Sequence, residues 1–194
     1  MNKPADFPDK SKVVLIIIDM INDLEFEDGE KMLSPALEAA RNIAAFKEEQ
    51  LKNRSIPTIY VNDNFGKWRS DFRQLVSHVL DDGVRGEEVT RILHPDEDDY
   101  FVIKARHSGF FGTTLETLLQ HLGAETLILA GLTGDMCVQF TAQDAHMRQF
   151  NLIIPPDLIV CADEKTKQTA ISQMALTCKA ATPCSSDINL DEYL

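Results

Sequence analysis

The chemistry of this chain is sought first at a cysteine. The stretch Leu127 to Val138 reads Leu-Ile-Leu-Ala-Gly-Leu-Thr-Gly-Asp-Met-Cys-Val. It begins as a buried strand, passes two glycines and delivers Cys137 to the start of a helix. A turn of this kind leaves backbone N–H groups without intrahelical partners, and the helix dipole adds partial positive charge beside them. A thiol held there is pushed toward thiolate, the nucleophilic form. The same N–H groups can receive the oxyanion of a tetrahedral intermediate. Free cysteine is also among the most buried residue types, so this stretch taken alone is read more readily as a small buried residue at a helix start.

Two more polar residues stand where apolar runs stop. Val13 to Ile18 ends in Asp19, and Tyr100 to Ile103 ends in Lys104. Each has an ordinary explanation, since Asp is common at strand ends and Lys can snorkel to water. Together they have a workable chemistry. Asp19 can take the thiol proton and return it to a leaving amine. Lys104 can stabilise both anions. None of the five histidines ends a strand in this way; His107 is close in sequence to Lys104 and is read as a loop residue.

These three residues need a scaffold that brings strand ends together. Val13 to Ile18 is apolar without alternation, as in a strand buried on both faces of a parallel sheet. Ser34-Pro35 reads as a helix start, with the helix running to about Asn53. Ile56 to Val61 is a second strand, Tyr100 to Lys104 a third, Thr126 to Ala130 a fourth and Asn151 to Ile154 a fifth. Ala180 to Cys184 is a weaker sixth. Between them, helices are expected from Ser70, from a Thr113/Glu116 capping box to Gly123, from Cys137 to about Gln149, and over Thr166 to Cys178. Alternating strands and helices predict an α/β fold: a three-layer α/β/α sandwich with an open, mainly parallel, Rossmann-like sheet. Residues 1–194 form one domain in this reading, with 1–11 as a flexible N-terminal arm. Sites in such sheets lie beyond the carboxyl ends of the strands, where strand order reverses.

Composition narrows the function. The net charge of −12 disfavours nucleic acid and anionic membrane surfaces as partners. No apolar run approaches a membrane span, and Met1 to Lys12 has no signal-peptide character. The four cysteines show no CxxC pair or zinc-ligand spacing, which fits a cytoplasmic protein with reduced thiols.

At this point the motifs resemble a family. Asp19-Met20-Ile21-Asn22-Asp23, Lys104-Ala105-Arg106-His107-Ser108-Gly109-Phe110 and Gly131-Leu132-Thr133-Gly134-Asp135-Met136-Cys137 match, in order and spacing, the isochorismatase-like cysteine hydrolases, which include nicotinamidase and N-carbamoylsarcosine amidase. The resemblance covers roughly Val13 to Asp163. It implies Asp19, Lys104 and Cys137 as the catalytic residues. It also implies a cis peptide between Leu132 and Thr133, an oxyanion hole made by the Thr133 and Cys137 N–H groups, and self-association into a homo-oligomer. Nicotinamidases carry a metal site after strand two built from an Asp and several histidines. Here Asn62 to Trp68 contains no histidine, so no metal and no cofactor are expected. Leu24 and Ile21 replace an aromatic and a glutamine of nicotinamidases, which points away from nicotinamide.

The resulting expectation is a cysteine hydrolase acting on a C–N bond, amide or ureide, of a small molecule. Cys137 attacks, Asp19 protonates the departing amine, and water activated by Asp19 hydrolyses the thioester. Asn22, Phe65, Trp68, Phe110 and Phe111 are candidates for the substrate pocket. Two rival readings are a binding protein that keeps the fold without activity and a thiol redox sensor built on Cys137.

Overall fold

The computed structural model describes residues 10–66 and 71–194. The expected arm falls mostly on residues 1–9, which lie outside this range, as do Ser70 and Trp68. Six parallel strands form one sheet: β1 (Val13–Ile18), β2 (Thr58–Asp63), β3 (Tyr100–Lys104), β4 (Thr126–Leu132), β5 (Asn151–Ile153) and β6 (Ile159–Val160). The order is β3-β2-β1-β4-β5, with β6 paired beside the end of β4. The chain builds outward from β1 through β2 to β3, then restarts at β4 on the other side. The switch point therefore lies between the carboxyl ends of β1 and β4.

The continuous apolar run of β1 has a simple cause. Every one of its six residues is buried, and its alternate residues face opposite helical layers. Val13, Leu15 and Ile17 pack with Met32, Ala36, Ala40 and Ile43 of α1 (Gly29–Phe46), and with residues of α2 (Phe72–Asp81) and α3 (Glu87–Ile92). Val14, Ile16 and Ile18 pack with α4 (Leu115–Leu122), α5 (Gln139–Met147) and α6 (Glu164–Thr177). Each such side chain removed from water contributes roughly 1.5–3 kcal/mol. The period of two in a strand thus serves both layers of the α/β/α sandwich.

Several boundaries differ from the sequence reading. α1 begins at Gly29, and Ser34-Pro35 lies inside it. The buried stripe Met32, Ala36, Ala39, Ala40 and Ile43 demands helix before the proline, and its burial outweighs the local start signal. α2 is capped by Asp71, whose carboxylate accepts from Gln74 N–H at 2.8 Å. Thr113 and Glu116 form no capping box. Thr113 Oγ1 donates to the Gly109 carbonyl and accepts from Leu115 N–H, while Glu116 accepts from Arg148 at 2.9 Å. The sixth strand is Ile159–Val160; Ala181 makes only an isolated bridge to Ile153. A two-residue strand after Pro155-Pro156 is too short to carry a pattern.

Candidate active site

The sheet register assembles the site. Asp19 follows directly on Ile18, which is paired with Val61 of β2 and Gly131 of β4. Asp63, the last residue of β2, is paired with Lys104, the last of β3. Asp19 has a left-handed backbone (φ 53°), and its N–H still bonds the Val61 carbonyl at 2.9 Å. The chain thus turns out of the sheet at the position that carries the carboxylate. On the other side of the switch point, Gly131 adopts φ 120°. A Cβ there would lie 2.0 Å from the Ile18 carbonyl oxygen, so only glycine lets β4 run this close to β1. One residue further on, the Leu132–Thr133 peptide bond is cis.

Cys137 does not open a regular α-helix. It sits in a π-helical turn, Gly134–Val138, that runs on into α5. The turn is seated tightly: a Cβ on Gly134 would come within 2.7 Å of Cys161 Sγ and 2.6 Å of Ile159 Cγ2. Thr141 Oγ1 donates to the Cys137 carbonyl at 2.7 Å and accepts from Gly109 N–H at 3.0 Å, tying this turn to the loop that leaves β3.

Asp19, Lys104 and Cys137 converge. Lys104 Nζ, fully buried, lies 2.8 Å from Asp19 Oδ2 and 3.4 Å from Cys137 Sγ. Asp19 Oδ1 accepts from Asp63 N–H at 2.7 Å. Burial raises the Asp19 carboxyl above its ordinary value even though Lys104, the thiol and Asp63 N–H pull it down. It is a readier proton acceptor than a surface carboxylate. For Lys104 burial opposes the charge, yet Asp19 and Cys137 more than offset it and the ammonium is held above its ordinary value.

The thiol departs from the sequence reading. Burial first, and then the Asp19 charge and hydrogen bond, push Cys137 up to about 12, against the opposing pull of Lys104. Burial and the Asp19 charge therefore favour the thiol over the thiolate in the resting site.

Two residues outside the expected triad adjoin it. Asp63 Oδ2 lies 3.5 Å from Lys104 Nζ, a second carboxylate on the same ammonium. Its pairing with Lys104 was the usable signal, and it depends on a register that strand lengths in sequence do not reveal. His107 is indeed a loop residue, but its Nδ1 stands 3.8 Å from Cys137 Sγ. The loop places it on the exposed side of the sulfur.

The expected pocket residues divide. Phe110 is core: it packs with Phe150 at 6.1 Å between ring centroids and under the Arg148 guanidinium at 4.8 Å. It is no pocket wall, because the loop turns at Ser108 and Gly109 and sends Phe110 into the layer beside α4 and α5. Asn22 is buried and spends its Oδ1 on Leu24 N–H at 2.8 Å, shaping the loop after β1. Asn62 is buried too and donates to the Ile21 carbonyl at 2.9 Å. Phe65 and Phe111 are exposed. Trp68 lies outside the described residues.

Comparison with known proteins places the chain in a family. The isochorismatase domain model matches residues 13–187. The chain belongs to the isochorismatase family of hydrolases. It is 34% identical over 165 residues to the uncharacterized isochorismatase family protein YaaI of Bacillus subtilis (strain 168), covering 85% of this chain and 90% of that one. A probable inactive nicotinamidase of Arabidopsis thaliana is 31% identical, over 68% of this chain and 71% of its own. Among solved structures, N-carbamoylsarcosine amidase from Thermoplasma acidophilum superposes with a TM-score of 0.64 at 25% identity, covering 92% of this chain and 99% of that one. Among the described residues no helix is long and apolar enough to cross a membrane.

Proposed function

We propose that this family member is a cysteine hydrolase that cleaves a C–N bond, amide or ureide, of a small molecule through a Cys137 thioester. One observation carries the reading: a buried ammonium, Lys104, spans a carboxylate at 2.8 Å and a thiol at 3.4 Å beyond the carboxyl ends of the strands. In this mechanism Cys137 gives its proton to Asp19 as Sγ attacks the carbonyl carbon. Lys104 compensates the charge that forms on the sulfur while Asp19 is neutralised. The Thr133 and Cys137 N–H groups receive the oxyanion. Asp19 then passes the proton to the amine, the C–N bond breaks, and water hydrolyses the thioester.

The likeness to an N-carbamoylsarcosine amidase supports ureide-type substrates within this class. The test is ammonia release from a panel of small amides and ureides, with intact-protein mass spectrometry to trap an acyl group on Cys137. Turnover in the wild type and its loss in Cys137→Ala support the reading. A panel without turnover, together with no acyl adduct, would favour a non-catalytic family member.

A further inference from the structure

Lys104 is an ammonium sealed inside the protein, and the charges around it change during the proposed reaction. Among the described residues, three titratable groups lie within 3.5 Å of its Nζ: Asp19 Oδ2 at 2.8 Å, Cys137 Sγ at 3.4 Å and Asp63 Oδ2 at 3.5 Å. Burial works against the charge on Lys104, while Asp19, Cys137 and Asp63 work for it. Neither Asp19 nor the sulfur is an anion in the tetrahedral species. Asp19 has taken the thiol proton, and the sulfur electron pair is in the C–S bond. The negative charge has moved to the oxyanion. A buried ammonium left without a carboxylate is costly and tends to shed its proton.

Asp63 is fixed where it can meet that need. It ends β2 in register with Lys104, which ends β3, and the N–H of the next residue, Asn64, donates to the Lys104 carbonyl at 2.8 Å. Asp63 N–H donates to Asp19 Oδ1 at 2.7 Å. Its own Oδ1 accepts from Phe65 N–H at 2.7 Å, which leaves Oδ2 for Lys104. One residue thus holds the base through its backbone and the ammonium through its side chain. The Asp63 side chain is 35% exposed, so water solvates its charge, whereas Lys104 has no contact with solvent.

We propose that Asp63 is a positioning residue for the reaction: its carboxylate is the counter-charge that keeps Lys104 protonated and in place while Asp19 carries the proton. This rests on the hydrolase reading above. In the resting site the ammonium faces two carboxylates. As Sγ attacks, the thiol proton moves to Asp19, the C–S bond forms, and Asp63 is the carboxylate that remains ionised. The Asp19 charge returns when the amine departs with the proton. It is lost again when water gives its proton to Asp19 on the way to thioester hydrolysis, and Asp63 serves a second time. No proton passes through Asp63, and the net charge of the site is the same before attack and in the tetrahedral species.

The experiment has two readouts on the full chain. Asp63→Asn keeps an acceptor for Phe65 N–H and the backbone bond to Asp19, and removes only the charge. With p-nitrophenyl acetate, the nitrophenolate burst reports acylation of Cys137, and intact mass confirms the acetyl group there. Asp63→Asn is expected to lower the limiting burst rate about 10- to 100-fold, with the half-saturating concentration changed less than about twofold. The second readout is the Cε resonance of Lys104 against pH in protein carrying isotope-labelled lysine, assigned with Lys104→Arg. It is followed in Cys137→Ser, where no thiolate can replace a carboxylate, with Asp19→Asn imitating the neutral Asp19. Adding Asp63→Asn to that pair should bring the loss of the Lys104 proton down by about two pH units. A merely structural role in the turn would not move it.

Acylation of Asp63→Asn at the wild-type rate would overturn the proposal. A slower burst with an unmoved Lys104 titration would also overturn it, since the loss would then come from the turn at Asn64 and Phe65 and not from the charge. A wild type that is never acetylated at Cys137 would overturn the hydrolase reading itself, and the role in the reaction with it.

Discussion

Replacing Asp19 by Asn should move two rates in opposite directions. The carboxylate accepts from Lys104 and Asp63 N–H, and its charge disfavours ionisation of the Cys137 thiol. After burial, it is the largest cause holding that thiol up at about 12. Asn keeps the shape and removes the charge. Lys104 then acts on the sulfur without its nearest counter-charge, and the thiol becomes more acidic. A fall of about two pKa units gives about 100-fold more thiolate at pH 7.5, each about tenfold less nucleophilic at a Brønsted slope of about 0.5. The net expectation is alkylation of Cys137 by iodoacetamide about tenfold faster than in the wild type, localised by peptide mass spectrometry. Hydrolysis of an amide needs the proton that Asp19 carries, and should fall about 100- to 10,000-fold. The Asn NH2 also faces a donor at Lys104 or at Asp63 N–H, which costs about 1–3 kcal/mol, so urea unfolding is followed in parallel. Alkylation that is unchanged or slower in the folded variant would refute the electrostatic reasoning. It would mean that Asp19 does not oppose ionisation of the thiol. Amide hydrolysis surviving at the wild-type rate would refute Asp19 as the proton carrier.

Three other perturbations follow from the same geometry. Because the folded thiol sits at about 12 against an ordinary 9.0, the unfolded chain loses this proton first as pH rises, so Cys137 lowers stability progressively above pH 9. Between pH 9 and 10.5 the loss is about 2 kcal/mol at most, discounted for the partial exposure of the thiol; urea midpoints for wild type and Cys137→Ala should diverge over this window, and parallel curves would refute the shift. Lys104→Met leaves Asp19 and Asp63 facing one another with no cation and should destabilise by about 3–5 kcal/mol, with part recovered in the double variant carrying Asp19→Asn; a strictly additive double-mutant cycle would mean the pair is not coupled. Gly131→Ala puts a Cβ 2.0 Å from the Ile18 carbonyl oxygen at φ 120° and should cost at least about 3 kcal/mol by thermal unfolding, whereas an unchanged midpoint would show that β1 and β4 separate easily.

The α/β architecture was legible because the core strands are short apolar runs, and in β1 and β3 the run is closed by a charged residue at the same edge of the parallel sheet. Asp19 and Lys104 could be named from that rule, and Cys137 from the glycine-containing turn that follows β4. Helix starts were less legible. Ser34-Pro35 carries a strong local signal, but Met32 lies on the buried stripe, and tertiary burial decides. Phe110 reads as one more aromatic beside the site; only the turn at Ser108 and Gly109 shows it directed into the core.

Sequence alone thus determined which residues carry reactive groups and the edge of the sheet at which they emerge, because residue type and apolar periodicity are local properties. Register, burial and through-space neighbours were decided by the tertiary structure. Register places Asp63 beside Lys104, loop anchoring places His107 beside the sulfur, and burial near Asp19 pushes the Cys137 thiol up where its place at a helix start suggested a thiolate. An ionisation state depends on the summed field of groups distant in sequence and on the water excluded around them, and neither exists until the chain has packed.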